Sequence, residues 1–204
     1  MEKIKHTKNE LRRQKESLRR FLRYLPTLVL KKKQLQLEIA KILHAMENLE
    51  TDIARLRASV DQWVDVFSEG ADIKGLVTVE KVYTELGNIA GIDIPVFQKV
   101  EFRCKDYDLM ATPLWVDYGI DAVKKMFTLK VRYEVMKRQL EIIREELRIT
   151  TQRVSLFEKI KIPEAHENIR RIRIYLGDLQ TASVVVGKIA KKKIEEKASV
   201  GALS

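Results

Sequence analysis

Thr151–Leu176 reads TQRVSLFEKIKIPEAHENIRRIRIYL, and its apolar spacing decides the fold. Val154 and Phe157 end a run that steps by alternating threes and fours from Ala122 through Met126, Leu129, Tyr133, Met136, Leu140, Ile143, Leu147 and Thr150. Such a run draws an apolar seam down one side of a helix and calls for a partner helix. After Phe157 the next seam residue is Ala165, one residue late, and Ile169, Ile172, Leu176, Leu179, Ser183, Val186 and Ala190 continue from there. The slip surrounds Pro163, which has no backbone N–H and restricts Ile162 before it. A kink or local unwinding is expected at that point.

A second seam runs from Leu11 to Phe67 without a slip, and only Gln14 and Lys32 in it are strongly polar. Pro26 lies inside this run. Because the phase is kept across it, one kinked helix is expected, at a cost of about 3 kcal/mol for the proline. Between the seams the helical period is lost. Val77–Tyr83 is β-branched and alternating, and Asn88–Phe97 resembles a second extended piece, with Gly91 and Pro95 suited to bulge or edge positions.

The expected fold is mainly α: a long antiparallel two-helix coiled coil with a small central β-hairpin head. Its divisions are an N-terminal shaft helix over 1–70, the head over 71–117 and a C-terminal shaft helix over 118–204. Both termini then share one tip with the head towards the other end. Trp63 and Phe67 should pack near Ala122 and Met126, and Leu11 and Leu18 against the seam around Leu179 and Val186. A hairpin this small must lean on the helices to find a core.

Charge is lopsided. The 204 residues carry a formal net charge of +10, and residues 1–35 alone hold 12 Lys/Arg against 3 Asp/Glu. The basic tip is expected to be doubled by Lys188, Lys191, Lys192 and Lys193, and such charge suits an acidic protein surface, phosphates or anionic lipid. Cys104 stands alone, so no intrachain disulfide can form. Met1–Glu10 has no apolar core segment of a signal peptide, and no apolar run reaches the roughly 20 residues of a membrane span.

Chemistry-bearing motifs fail at a necessary residue. His166-Glu167-Asn168-Ile169-Arg170 has Arg where a zinc-protease helix needs its second His, and Val186-Gly187-Lys188-Ile189 lacks the hydroxyl of a phosphate loop. The reading is a non-catalytic protein with no cofactor or metal. Tyr133 and Phe157 are expected to serve packing.

Several segments resemble the central-stalk D subunit of V-type and archaeal-type (A-type) ATPases. Thr7-Lys8-Asn9-Glu10-Leu11 is similar to the family's Thr-Lys-x-x-Leu opening, and Leu30-Lys31-Lys32-Lys33 to its Leu-Lys-x-Lys segment. Gly91-Ile92-Asp93-Ile94-Pro95 resembles its Gly-hydrophobic-x-hydrophobic-Pro signature. Gln152–Lys159, Ile162-Pro163 and Ile169-Arg170-Arg171-Ile172 are similar to its Arg-Arg-Val-Asn-Ala-Leu-Glu stretch, its Ile-Pro and the helix that follows. Gln152 and Ser155 depart from the usual Arg and Asn, marking a divergent, bacterial member.

The resemblance implies a central-stalk rotor shaft without turnover of its own. Its implied partners are the catalytic and regulatory ATPase ring subunits, a small companion subunit and a socket subunit on the membrane rotor. It would be cytoplasmic and peripheral to the membrane, with no membrane insertion and no nucleic acid. The residues expected to meet the ring are Lys8, Arg12, Arg13, Arg19, Arg20, Lys188, Lys191 and Lys192. The reading from another class is a basic coiled-coil scaffold or nucleic-acid-associated protein, which lacks interleaved aromatics at the tip beyond Phe21 and Tyr24.

Overall fold

A computed structural model describes residues 4–62, 76–105 and 115–201, with side chains to Glu195. In order, the elements are α1 (Lys8–Asp61), β1 (Val77–Ile89), β2 (Ile92–Cys104), α2 (Trp115–Leu156), a π-helical turn (Phe157–Lys161) and α3 (Ile162–Gly201). Helix α1 starts where Thr7 Oγ1 accepts the Glu10 N–H at 3.2 Å, a cap that satisfies one of the helix's orphan donors. It runs unbroken through Pro26. Every expected seam position from Leu11 to Val60 is buried or half-buried, as is every one from Ala122 to Phe157. Trp63 and Phe67 lie outside the described residues.

Two compact units divide the chain: Leu30–Thr150, and the residues up to Val29 together with Thr151 onward. In the first, the hairpin unit, α1 and α2 run antiparallel. Lys31 Nζ meets Glu146 Oε1 at 2.8 Å, while Tyr133 donates its hydroxyl to Glu50 Oε1 at 2.7 Å. As α1 numbers rise, their α2 partners fall. The core here joins Leu35, Ile42 and Met46 of α1, Leu140 and Ile143 of α2 and Ile94 of β2, with Leu35 and Ile143 fully inaccessible.

The hairpin strands are each 13 residues long and pair antiparallel from Val77↔Cys104 to Ile89↔Ile92. This corrects the reading of Asn88–Phe97 as one extended piece: the chain turns at Ala90-Gly91. Both turn residues have positive φ (53° and 79°), the geometry whose twist matches a two-residue hairpin. Asn88 Oδ1 accepts the Gly91 N–H at 3.0 Å, and Asn88 Nδ2 donates to Asp93 Oδ1. Pro95 sits within β2, opposite Leu86.

The hairpin, expected as a small head, packs along α2. Its turn end, through Ile89, Ile92 and Ile94, packs on the Leu140–Ile143 region, and its open end, through Val77 and Phe102, packs on Val116 and Ile120. Val116 to Ile143 spans about 40 Å of helix at 1.5 Å per residue. A 13-residue strand spans about 43 Å, so the hairpin lies alongside α2 for its full length. Gln139, itself buried, donates its side-chain amide to the Pro95 carbonyl and ties strand to helix.

In the second, terminal unit, α1 up to Val29 packs antiparallel on the α3 side. Phe21 and Phe157 rings lie 5.3 Å apart, and His6 and Tyr175 rings 4.9 Å apart. The π-turn falls where the seam slips. The Ile162 N–H bonds back to the Phe157 carbonyl, five residues away, so one extra residue is looped into the helix. That insertion carries the seam from Phe157 to Ala165 without losing its face: Ala165, Ile169 and Ile172 are all buried.

The expected contact of Leu11 and Leu18 with Leu179 and Val186 does not form. Leu179 and Val186 are 49% and 65% exposed. Antiparallel helices advance residue for residue, so with Phe21 set against Phe157, α1 runs out at Lys8 before α3 reaches Leu179.

Candidate interaction surface

Among the described residues no group of His, Cys, Asp and Glu is placed to hold a metal, and no helix is long and apolar enough to cross a membrane. His166 is exposed, and Glu167 beside it accepts from Arg170 Nε at 2.8 Å and Arg171 Nε at 2.8 Å. The Arg170 bonds, and then that of Arg171, pull the Glu167 carboxyl down to a pKa of about 2.

The largest surface feature among the described residues is the end of α3. Every residue from Gly177 to Glu195 is exposed. Leu179, Val185, Val186, Ile189 and Ile194 are between 49% and 68% accessible. Leu179, Val186 and Ile189 fall within about 80° of one another around the helix and Val185 and Ile194 border them, so they draw an apolar stripe along a helix that has run past its partner. Lys188, Lys191, Lys192 and Lys193 flank the stripe, and Lys191 meets Glu195 at 3.7 Å. Sequence reading assigned Leu179 and Val186 to the seam, and so did not mark them as surface. A seam and an uncovered stripe have the same period, and only the partner's length separates them.

Lys8, Arg12, Arg13, Arg19 and Arg20 are all exposed, off the seam of α1. Arg12 pairs with Glu16 at 2.9 Å, and Arg20 donates to Ser17 Oγ at 3.1 Å. Arg13 lines a cavity of about 650 Å³ with Gln14, Ser17, Phe21, Lys161 and Asn168. The structure does not gather these residues with the C-terminal lysines into one doubled tip. Tyr175 already faces His6, and Lys188 lies about 20 Å further along α3 at 1.5 Å per residue. The two basic groups form successive zones along the terminal unit.

The hairpin unit carries two further surfaces. Beside α2, Ile53, Pro95, Phe127, Val131 and Val135 line an apolar groove of about 640 Å³, with Phe127 43% exposed. On the hairpin, Tyr83 donates to Glu101 Oε2 at 2.8 Å, and Lys99 Nζ meets Glu101 Oε1 at 2.6 Å. Lys81 and Lys99 stand over the Tyr83 ring at 4.9 and 4.8 Å. The hydrogen bond to Glu101 holds the tyrosine proton on, raising its pKa, while Lys99 and then Tyr83 lower that of Glu101. Further along the hairpin, Leu86 is 80% exposed.

Comparison with known proteins places this geometry. The family model for the D subunit of ATP synthase matches residues 10–192. The V-type ATP synthase D subunit of Borreliella burgdorferi is 45% identical over 197 residues, covering 97% of this chain and 98% of that protein. The V-type ATP synthase D subunit of Chlamydia caviae is 36% identical over 198 residues, covering 95% of each. That of Chlamydia pneumoniae is 34% identical over 195 residues, covering 94% and 93%.

Proposed function

Because the chain belongs to the family of ATP synthase D subunits, we propose that it is the central-stalk shaft of a V/A-type ATPase. It couples ATP hydrolysis or synthesis in the catalytic ring to ion transport through the membrane rotor. The observation that carries this reading is the end of α3, a helix whose apolar stripe and flanking lysines are uncovered for the whole length from Gly177 to Glu195. An exposed apolar stripe of that length on a single helix calls for a surrounding surface of other subunits.

In this reading the stripe and the two basic zones sit within the ring of catalytic and regulatory subunits. Lys8, Arg12, Arg13, Arg19, Arg20, Lys188, Lys191 and Lys192 face it with positive charge. The groove at Phe127, Val131 and Val135 offers apolar area for the small companion subunit, and the socket subunit joins the shaft to the membrane rotor. The chain itself performs no chemistry. A helix pair is different on its different sides, so the ring subunits it faces are biased towards different conformations, and turning the shaft passes that bias round the ring. The protein works at the membrane periphery through its complex.

The test is co-purification with the catalytic and regulatory ring subunits. Val185, Val186 and Ile189 are changed together to Ser, and separately Arg12, Arg13, Arg19 and Arg20 to Glu. These side chains are exposed, so helix content should stay as in the wild type. Ring binding should fall sharply for the first variant. For the second it should fall most at low ionic strength, where screening is weakest. Wild-type binding and ATP-driven ion pumping by both variants would overturn the reading.

A further inference from the structure

The terminal unit has a weak point in each of its helices, and with Phe21 set against Phe157 the two stand about five residues apart along the pair. In α1, Pro26 cannot donate to the Leu22 carbonyl one turn back, so the helix continues with a backbone bond missing. On the other side, the π-turn Phe157–Lys161 carries one residue more than an α-turn, closed by the bond from the Ile162 N–H to the Phe157 carbonyl. Pro163 follows at once. It leaves without a donor the carbonyl of Glu158 in a π register, or that of Lys159 in an α register. The contact that sets the two helices at this level is the Phe21–Phe157 ring pair.

Side-chain packing is thin at the same place. No residue of the π-turn is buried, and Leu156 and Ile160 are 41% and 53% exposed. Next to it lies the cavity of about 650 Å³ lined by Gln14, Ser17, Phe21, Lys161 and Asn168. Asn168, 8% exposed, places a polar side chain on its wall. Beyond this region the seam is tight again at Ala165, Ile169 and Ile172. Missing backbone bonds, little buried apolar contact and room to move are the local signs of low opening free energy.

We propose that Pro26 and the π-turn with Pro163 form a staggered joint, one weak point in each helix, at which the terminal unit bends and twists while the seam beyond stays packed. The extra residue allows this. One residue corresponds to about 100° of turn around an α-helix, so a π-turn that tightens or passes its surplus along changes the twist without breaking the chain's helical path. On the shaft reading above, on which only its purpose rests, the joint stores part of each step elastically before the ring yields.

Hydrogen exchange on the full chain tests the joint without reference to any partner. In the wild type, amides of residues 22–28 and 158–166 should exchange roughly tenfold or more faster than those of Ile169–Ile172. Deleting Lys159 restores a seven-residue step from Phe157 to the next seam residue, and Pro26→Ala returns the missing donor. In the doubly changed chain the fast amides should slow to the level of their neighbours, with helix content unchanged. Pro26→Ala alone, which removes nothing from the fold, should slow residues 22–28. Wild-type amides as slow as those of Ile169–Ile172 would overturn the joint, and so would fast exchange that persists in both variants. In an assembled complex the doubly changed shaft should show narrower rotational fluctuations of an attached bead. Unchanged fluctuations would refute the elastic role. Failure of the wild-type chain to assemble with the ring would count against the shaft reading, leaving the exchange result to decide the joint.

Discussion

Replacing Thr150 by valine should stabilise the protein, against the usual direction of core substitutions. Thr150 is the one clearly polar residue in the α2 seam. It is 1% exposed, and its hydroxyl has no hydrogen-bond partner. Burying a hydroxyl unpaired costs about 1–3 kcal/mol by mutational measures. Valine has the same branched shape and nearly the same helix propensity, so the backbone is indifferent to the change. The methyl that replaces the hydroxyl adds up to about 0.8 kcal/mol of apolar burial. The net gain is therefore roughly 1–3 kcal/mol, which at ~2–4 °C per kcal/mol for a chain of this size raises Tm by about 2–12 °C. Urea unfolding followed by far-ultraviolet circular dichroism measures it. Thr150→Ser is the control, keeping the hydroxyl and losing the methyl, and should cost about 1 kcal/mol. A Thr150→Val chain no more stable than the wild type would refute the reasoning, showing that the hydroxyl is satisfied, for instance by the Glu146 carbonyl one turn back.

Other outcomes follow from the same packing. Ile143→Ala, at a fully buried position of the hairpin-unit core, should cost about 2–5 kcal/mol in the same assay, whereas Ile174→Ala, 52% exposed, should stay within about 0.5 kcal/mol. Gly87→Ala brings a Cβ to 2.6 Å from Val96 Cγ2. It should destabilise by about 1–3 kcal/mol, with much of the loss recovered when Val96→Ala is added. Glu167 has its pKa depressed from 4.5 to about 2 in the folded chain, so its contribution to stability is complete above the ordinary carboxylate range. That contribution is lost as pH falls towards 2. Side-chain NMR titration should find that midpoint, and Glu167→Gln should remove this part of the acid sensitivity.

Much of the candidate surface was legible as charge and not as contact. Lys8, Arg12, Arg13, Arg19 and Arg20 fall off the seam by simple periodicity, and all are exposed. Leu179 and Val186 of the exposed stripe read as seam residues, because the period that marks a seam is the same whether or not a partner covers it. The groove at Phe127 was invisible, since it forms where Pro95 of the hairpin meets α2 and Ile53 of α1.

The sequence by itself determined which face of each helix is buried, because the 3.6-residue period places side chains on a face whatever lies opposite. It also determined that one surplus residue must be absorbed between Phe157 and Ala165, which the π-turn does. Only the tertiary structure decided which residue meets which. Sliding two apolar seams past one another changes nothing in the local pattern of either. The offset follows from pairings far apart in sequence: Phe21 with Phe157, Lys31 with Glu146, and Ile94 of the hairpin entering the core beside Ile143. That same offset leaves the end of α3, from Gly177 to Glu195, without a partner among the described residues.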